Sequence, residues 1–319
     1  MSFAFVFPGQ GSQSVGMLAS LSDAPVVRGT FEEASGVLGY DLWKLVQEGP
    51  REQLDSTERT QPAMLAAGIA LWRLWRERGG PEPAVVSGHS LGEFTALTCA
   101  GALEFSAAIE LVRFRGQAMQ EATPAGAGAM AAILGLEDAQ VEAACRDAAQ
   151  GAVVEAVNFN SPGQVVIAGE RAAVQRAIEL GKELGAKRAI ELPVSVPSHC
   201  SLMRGAGLRL GERLASIEVR APRLRYLSPV DVAVHEQPAD IRTHLTRQLS
   251  SPVQWTRTIK SLAEQVGQIV ECGPGRVLTA LNRRIERRPG LDFLAVEDAE
   301  SLSAALQAVQ GGTAGAGHA

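Results

Sequence analysis

The chain has 319 residues, 46% hydrophobic and 20% charged, with a formal net charge of −5. Such a length buries a sizeable core, and this composition excludes wholesale disorder and coiled coil. The acidic balance argues against a nucleic-acid partner, and no apolar run reaches the roughly 18 residues of a membrane span. The start, Met1–Phe7, lacks the basic flank and length of a signal peptide. Cys99, Cys145, Cys200 and Cys272 lack Cys-x-x-Cys spacing, as expected of a reducing cytoplasm, and offer no metal site.

Phe3–Phe7 reads as a buried strand, followed by a loop, Pro8-Gly9-Gln10-Gly11-Ser12-Gln13. This loop is not Gly-x-Gly-x-x-Gly, so a dinucleotide-binding reading is rejected. Its glycines still let a ligand approach backbone N–H groups. Helices are expected over 25–39, 42–47 and 61–78, the last carrying Met64, Leu65, Ile69, Leu71, Trp72 and Trp75 at helical spacing, with the tryptophans as core. A strand over 84–87 then runs into Gly88-His89-Ser90-Leu91-Gly92, and a helical run follows over 91–102. Gly-x-Ser-x-Gly between strand and helix is the nucleophile-elbow pattern. The turn is tight enough to need glycine on both sides, and it exposes the serine hydroxyl at a helix N-terminus that favours negative charge. The next helix, 104–121, carries Arg113 and Arg115 around Phe114, which read first as solvated charges.

Pro124–Gly128 is a hinge-like break. After it, strands over 130–134, 153–158, 164–168 and 187–192 alternate with helices over 137–149 and 171–184. The order βαββαβ is the ferredoxin-like unit, placed as a small subdomain at 126–193. The chain returns through a Ser/Pro-rich turn ending at His199-Cys200 and enters a helix over 201–217. A strand at 225–228, helices at 239–249 and 255–264, a strand at 268–271, a helix from Val277, a strand at 291–296 and a helix at 299–309 complete the pattern. The tail 311–319, rich in Gly and Ala, is expected to be disordered. Strand–helix alternation on both sides of the insert implies an α/β fold, in which 1–125 and 194–310 form one mostly parallel sheet.

A serine nucleophile needs a general base. Of the five histidines, His318 lies in the tail, and His235 and His244 read as surface. His89 adjoins Ser90, but adjacent residues at an elbow point apart, which leaves it structural. His199, at the junction of an extended segment and a helix, is the candidate base. An oxyanion hole needs two N–H donors. Leu91, after the nucleophile, supplies one, and Gln10, between two glycines after the first strand, is placed to supply the other.

The segments Phe7–Gln13, Gly88–Glu93, Arg115-Gly116, Asn158–Gln164, Val194–His199 and Glu271–Gly275, in that order over about residues 2–310, closely resemble the malonyl-CoA:acyl carrier protein transacylase family. The resemblance implies an α/β-hydrolase-like large subdomain with the ferredoxin-like one inserted. It implies Ser90 as nucleophile, His199 as base, Gln10 and Leu91 as oxyanion donors, and Arg115 as partner of the malonyl carboxylate. Gln248 matches the residue whose backbone carbonyl orients the histidine in place of a triad acid, and His89 and Asn160 match pocket-lining positions. The implied partners are malonyl-CoA and holo acyl carrier protein, with no metal or other cofactor, in a cytoplasmic monomer serving fatty acid synthesis. Two readings compete with this one: a serine hydrolase of the same broad fold, such as a thioesterase or lipase, which shares the elbow, and a related, discrete polyketide-type acyltransferase. Arg283, Arg284, Arg287 and Arg288 form the densest basic run, either a carrier-protein dock or a solvated helix face.

Overall fold

The computed structural model describes residues 2–194 and 196–314, with side chains as far as Gly311. The first strand sets the layering. In β1, Phe3–Phe7, every residue is buried, so both faces are covered. Phe3, Phe5 and Phe7 join one core cluster, while Ala4 and Val6 join another on the opposite face. This is the two-residue alternation of a strand. The tryptophans of the helix Thr57–Glu77 fill the first side, the rings of Trp72 and Trp75 lying 5.8 and 5.1 Å from that of Phe5. Trp255, Ile259 and Leu262, at helical spacing on Trp255–Gln265, fill the second.

Along the chain, β2 is Val85–Gly88, β3 Gly128–Leu134, β4 Val154–Ser161, β5 Gln164–Glu170, β6 Arg188–Glu191, β7 Gln268–Cys272 and β8 Asp292–Val296. They form two sheets. The first has the order β2-β1-β7-β8 with all neighbours parallel, the α/β-hydrolase-like part of the fold. The second has the order β4-β5-β3-β6 with all neighbours antiparallel, which is ferredoxin-like. Helices Asp138–Ala149 and Arg171–Glu183 cover one face of the second sheet. Its other face buries Met130, Val157, Val166 and Ala168 around Cys200, from the returning chain. Backbone bonds between Val253 and both Val157 (2.8 Å) and Phe159 (3.0 Å) tie β4 to the rest.

Three expectations need correction. The 225–228 strand forms only single bridges, Val86 to Tyr226 and Leu227 to Val234. Pro229, lacking a donor, ends it at once. The helix expected from Gln61 starts at Thr57 and carries Pro62 inside. The last helix runs from Ala299 to Ala314, past the expected boundary at 310, held by buried Leu302, Ala305, Leu306 and Val309. The remaining tail, with His318, lies outside the described residues. All four cysteines are free and buried, and no described helix is long and apolar enough to cross a membrane.

Candidate active site

The elbow follows from backbone crowding. A Cβ on Gly88 would lie 2.0 Å from the carbonyl of Gly92, and one on Gly92 would lie 2.0 Å from the carbonyl oxygen of Phe7. Only glycine fits at either point. Ser90, held between them before the helix Gly92–Cys99, takes the left-handed φ of 53°. His199 takes a φ of 68°, so two non-glycine residues in this uncommon region face each other.

Ser90 Oγ lies 2.7 Å from His199 Nε2. On the other side of the ring, Nδ1 lies 3.0 Å from the carbonyl oxygen of Gln248 and 3.2 Å from that of Ser251. Carbonyls only accept, so the proton sits on Nδ1 and the Nε2 lone pair faces the hydroxyl. Burial first, and the Arg115 cation second, push the His199 pKa down to about 3, against the two carbonyl bonds. The imidazole is therefore neutral at ordinary pH, which is the state a base needs.

Arg115 is buried rather than solvated. Its neighbour Gly116 explains how. A Cβ there would lie 2.7 Å from Glu58 Cα, so glycine lets Phe105–Glu121 press against Thr57–Glu77. Arg115 Nη1 donates to Gln61 Oε1 (2.9 Å), and Nη2 donates to Gln248 Oε1 (2.8 Å) and Ser90 Oγ (3.3 Å). Its Nε is buried with no partner. Burial pulls the Arg115 pKa down to about 9, opposed by Glu93, so the group stays cationic at neutral pH. A desolvated guanidinium with an unused N–H beside a nucleophile is suited to a carboxylate.

The counter-charge is Glu93, one residue past the elbow and fully buried in a helix with no other charged residue. It accepts from Tyr226 Oη, from Ser228 Oγ (2.9 Å) and from Gln248 Nε2 (2.7 Å). Burial pushes its pKa up and these bonds oppose the rise. Gln248 Nε2 also donates to the Ser90 carbonyl at 2.7 Å. Its side chain thus joins Arg115, Glu93 and the elbow, while its backbone holds His199. Sequence reasoning reached only the backbone role, and it missed Gln61, Ser251 and Tyr226. A single acid in the otherwise uncharged run Gly92–Cys99 was the available signal for Glu93.

His89 makes no hydrogen bond to Ser90 Oγ. Its Nε2 lies 2.9 Å from Asn160 Oδ1, its ring meets Trp255 edge-on at 5.3 Å, and burial lowers its pKa. A cleft of about 220 Å³ lies between the two sheets. Gln10, His89, Ser90, Leu91, Arg115, Asn160 and His199 all line it, and the small sheet adds Met130, Asn158, Val166 and Leu192. Gln10 is exposed, with Nε2 3.4 Å from Thr57 Oγ1.

Two other expectations shift. The basic run is not one helix face, because the helix Val277–Ile285 ends before Arg287. Arg283 donates to the Phe293 carbonyl, Arg284 to Gln164, Arg287 to the Arg283 carbonyl, and Arg288 to the carbonyls of Ala263 and Val266. His235 and His244, expected at the surface, are half-buried and packed together at a tilt, their ring centroids 3.7 Å apart.

The acyl transferase domain family matches residues 4–301. The malonyl CoA-acyl carrier protein transacylase of Salmonella typhimurium is 54% identical over 306 residues, covering 95% of this chain and 98% of its own. A crystal structure of an acyl carrier protein S-malonyltransferase from Vibrio cholerae is 56% identical, with a TM-score of 0.93 over 96% of this chain and 100% of that one. A malonyl-transacylase in complex with its type II PKS acyl-carrier protein is 54% identical, with a TM-score of 0.94 over 97% of this chain and 100% of that one. This chain belongs to the acyl transferase family, among its malonyl CoA-acyl carrier protein transacylases.

Proposed function

We propose that Ser90 carries the malonyl group between two thiols, with His199 as the base in both half-reactions. The overall activity is transfer of malonyl from malonyl-CoA to acyl carrier protein. His199 Nε2 takes the Ser90 proton as Oγ attacks the thioester carbonyl. The tetrahedral oxyanion collapses, coenzyme A leaves as the thiol with that proton, and a malonyl ester remains. The carrier protein's phosphopantetheine thiol gives its proton to His199 and attacks the ester; the bond to Ser90 Oγ breaks, His199 returns the proton to that oxygen, and the carrier protein departs malonylated. The backbone N–H groups of Gln10 and Leu91 meet the oxyanion, each typically worth about 3 kcal/mol of barrier. Arg115 pairs with the malonyl carboxylate, and His89 and Asn160 shape the pocket beside it.

The observation that carries this reading is the pair of contacts on one oxygen. Ser90 Oγ lies 2.7 Å from the base and 3.3 Å from a buried cation. Both partners of His199 Nδ1 are carbonyls, where a hydrolase-type triad would put an acid. The test is to incubate the enzyme with malonyl-CoA, quench in acid and map the adduct by mass spectrometry. It belongs on Ser90, and it is absent from Ser90→Ala and strongly reduced in His199→Ala. An adduct on another residue would overturn the assignment.

We further propose residues 1–125 with 194–310 as the catalytic subdomain and 126–193 as the small one. The separate sheets and the separate core around Ile133, Val165 and Ile178 support this division. A cytoplasmic monomer is the working form we propose, supported by four free, buried thiols. Sedimentation at one protomer mass tests the oligomeric part, and a stable dimer contradicts it.

A further inference from the structure

Three metal-ligating side chains meet at a point that does not line the Ser90 cleft. We propose that Asp231, His235 and His244 bind one divalent transition-metal ion of the Zn²⁺ type. His235 Nε2 lies 3.0 Å from Asp231 Oδ2, and His244 Nε2 lies 3.3 Å from the same oxygen. The ligand atoms of all three lie within 4.8 Å of one another. A tetrahedral ion with bonds of about 2.0–2.1 Å spaces its donors roughly 3.3 Å apart. The trio reaches a common centre once the two imidazole rings, whose centroids are 3.7 Å apart, swing away from each other. Two imidazoles and one carboxylate select borderline ions such as Zn²⁺, Co²⁺ or Ni²⁺ over Mg²⁺ and Ca²⁺.

His244 supplies the second observation. Neither of its ring nitrogens makes a hydrogen bond among the described residues, and its Nδ1 is buried without a partner. Its Nε2 lies at ion-pair distance, 3.3 Å, from Asp231 Oδ2. Asp231 meanwhile accepts from Ala233 N and faces His235 through both oxygens, so it is already fixed.

The placement gives the site a consequence. Asp231 and His235 follow Ser228, which bonds Glu93, while His244 is one turn before Gln248 on the helix Pro238–Gln248. A bound ion clamps this loop to the helix that supports the active site. It stabilises the fold and takes no part in the chemistry.

Metal-stripped enzyme is titrated with Zn²⁺ by calorimetry and with Co²⁺ by visible absorption. The expected result is one ion per chain, a tetrahedral Co²⁺ spectrum, a raised melting temperature and no response to Mg²⁺. His235→Ala and His244→Gln weaken Zn²⁺ binding by roughly 100-fold or more. Both keep metal-free malonyl transfer, which shows that they fold. His199→Ala keeps the binding. The absence of stoichiometric binding overturns the site. So does binding that survives in both variants, or that His199→Ala abolishes.

Discussion

The two walls of the cleft are built differently. On the parallel-sheet side, Ser90, His199, Arg115 and Gln248 are bonded to one another and through Gln248 to Glu93. On the antiparallel side the lining is Met130, Asn158, Asn160, Val166 and Leu192, three of the five apolar. A fixed polar network supplies oriented charge without reorganising during reaction. An apolar wall supplies shape and excludes water. The comparison assigns chemistry to the first wall and fit to the second, and substitutions on each can break it.

The largest effects belong to the first wall. Ser90→Ala and His199→Ala are each expected to lower malonyl transfer by roughly 10⁴-fold or more. Next is Arg115→Ala, expected to lower malonyl transfer by roughly 10²–10³-fold while acetyl transfer falls much less. Equal loss with both thioesters would remove carboxylate pairing from the account.

The pH profile sharpens the same wall. With His199 at about 3, the base stays deprotonated as pH falls from 7 to 5, so the acid side of kcat/KM for malonyl-CoA stays flat there. Arg115→Ala removes a cation that lowers this pKa, so the residual activity gains an acid limb at higher pH than in the wild type.

The smallest effect is expected from the second wall. Leu192→Ala, which trims apolar lining, should raise KM for malonyl-CoA by less than about tenfold with kcat nearly unchanged. A kcat loss comparable to that of Arg115→Ala would erase the distinction between the walls.

Legibility in the sequence followed the range of the interactions. The elbow was readable because Gly88 and Gly92 answer crowding within five residues and beside β1. The small sheet was readable because its strands and helices follow one another locally, and β1 because its run is apolar on both faces. Arg115 carries no local mark of burial, and only family resemblance promoted it over Arg113. The Glu93–Gln248–Tyr226 cluster joins residues 133 and 155 positions apart, which no periodicity encodes. The contact of His235 with His244 was hidden for a similar reason, since a loop and a helix face produce it together.

The most direct measurement is a rapid acid-quench time course with malonyl-CoA, first without and then with holo acyl carrier protein. A relay through Ser90 predicts a burst of one malonyl ester per active site on Ser90. Coenzyme A release then stops until carrier protein is added, and the ester disappears at least as fast as kcat. Steady coenzyme A release without carrier protein, or an ester consumed more slowly than turnover, would contradict it.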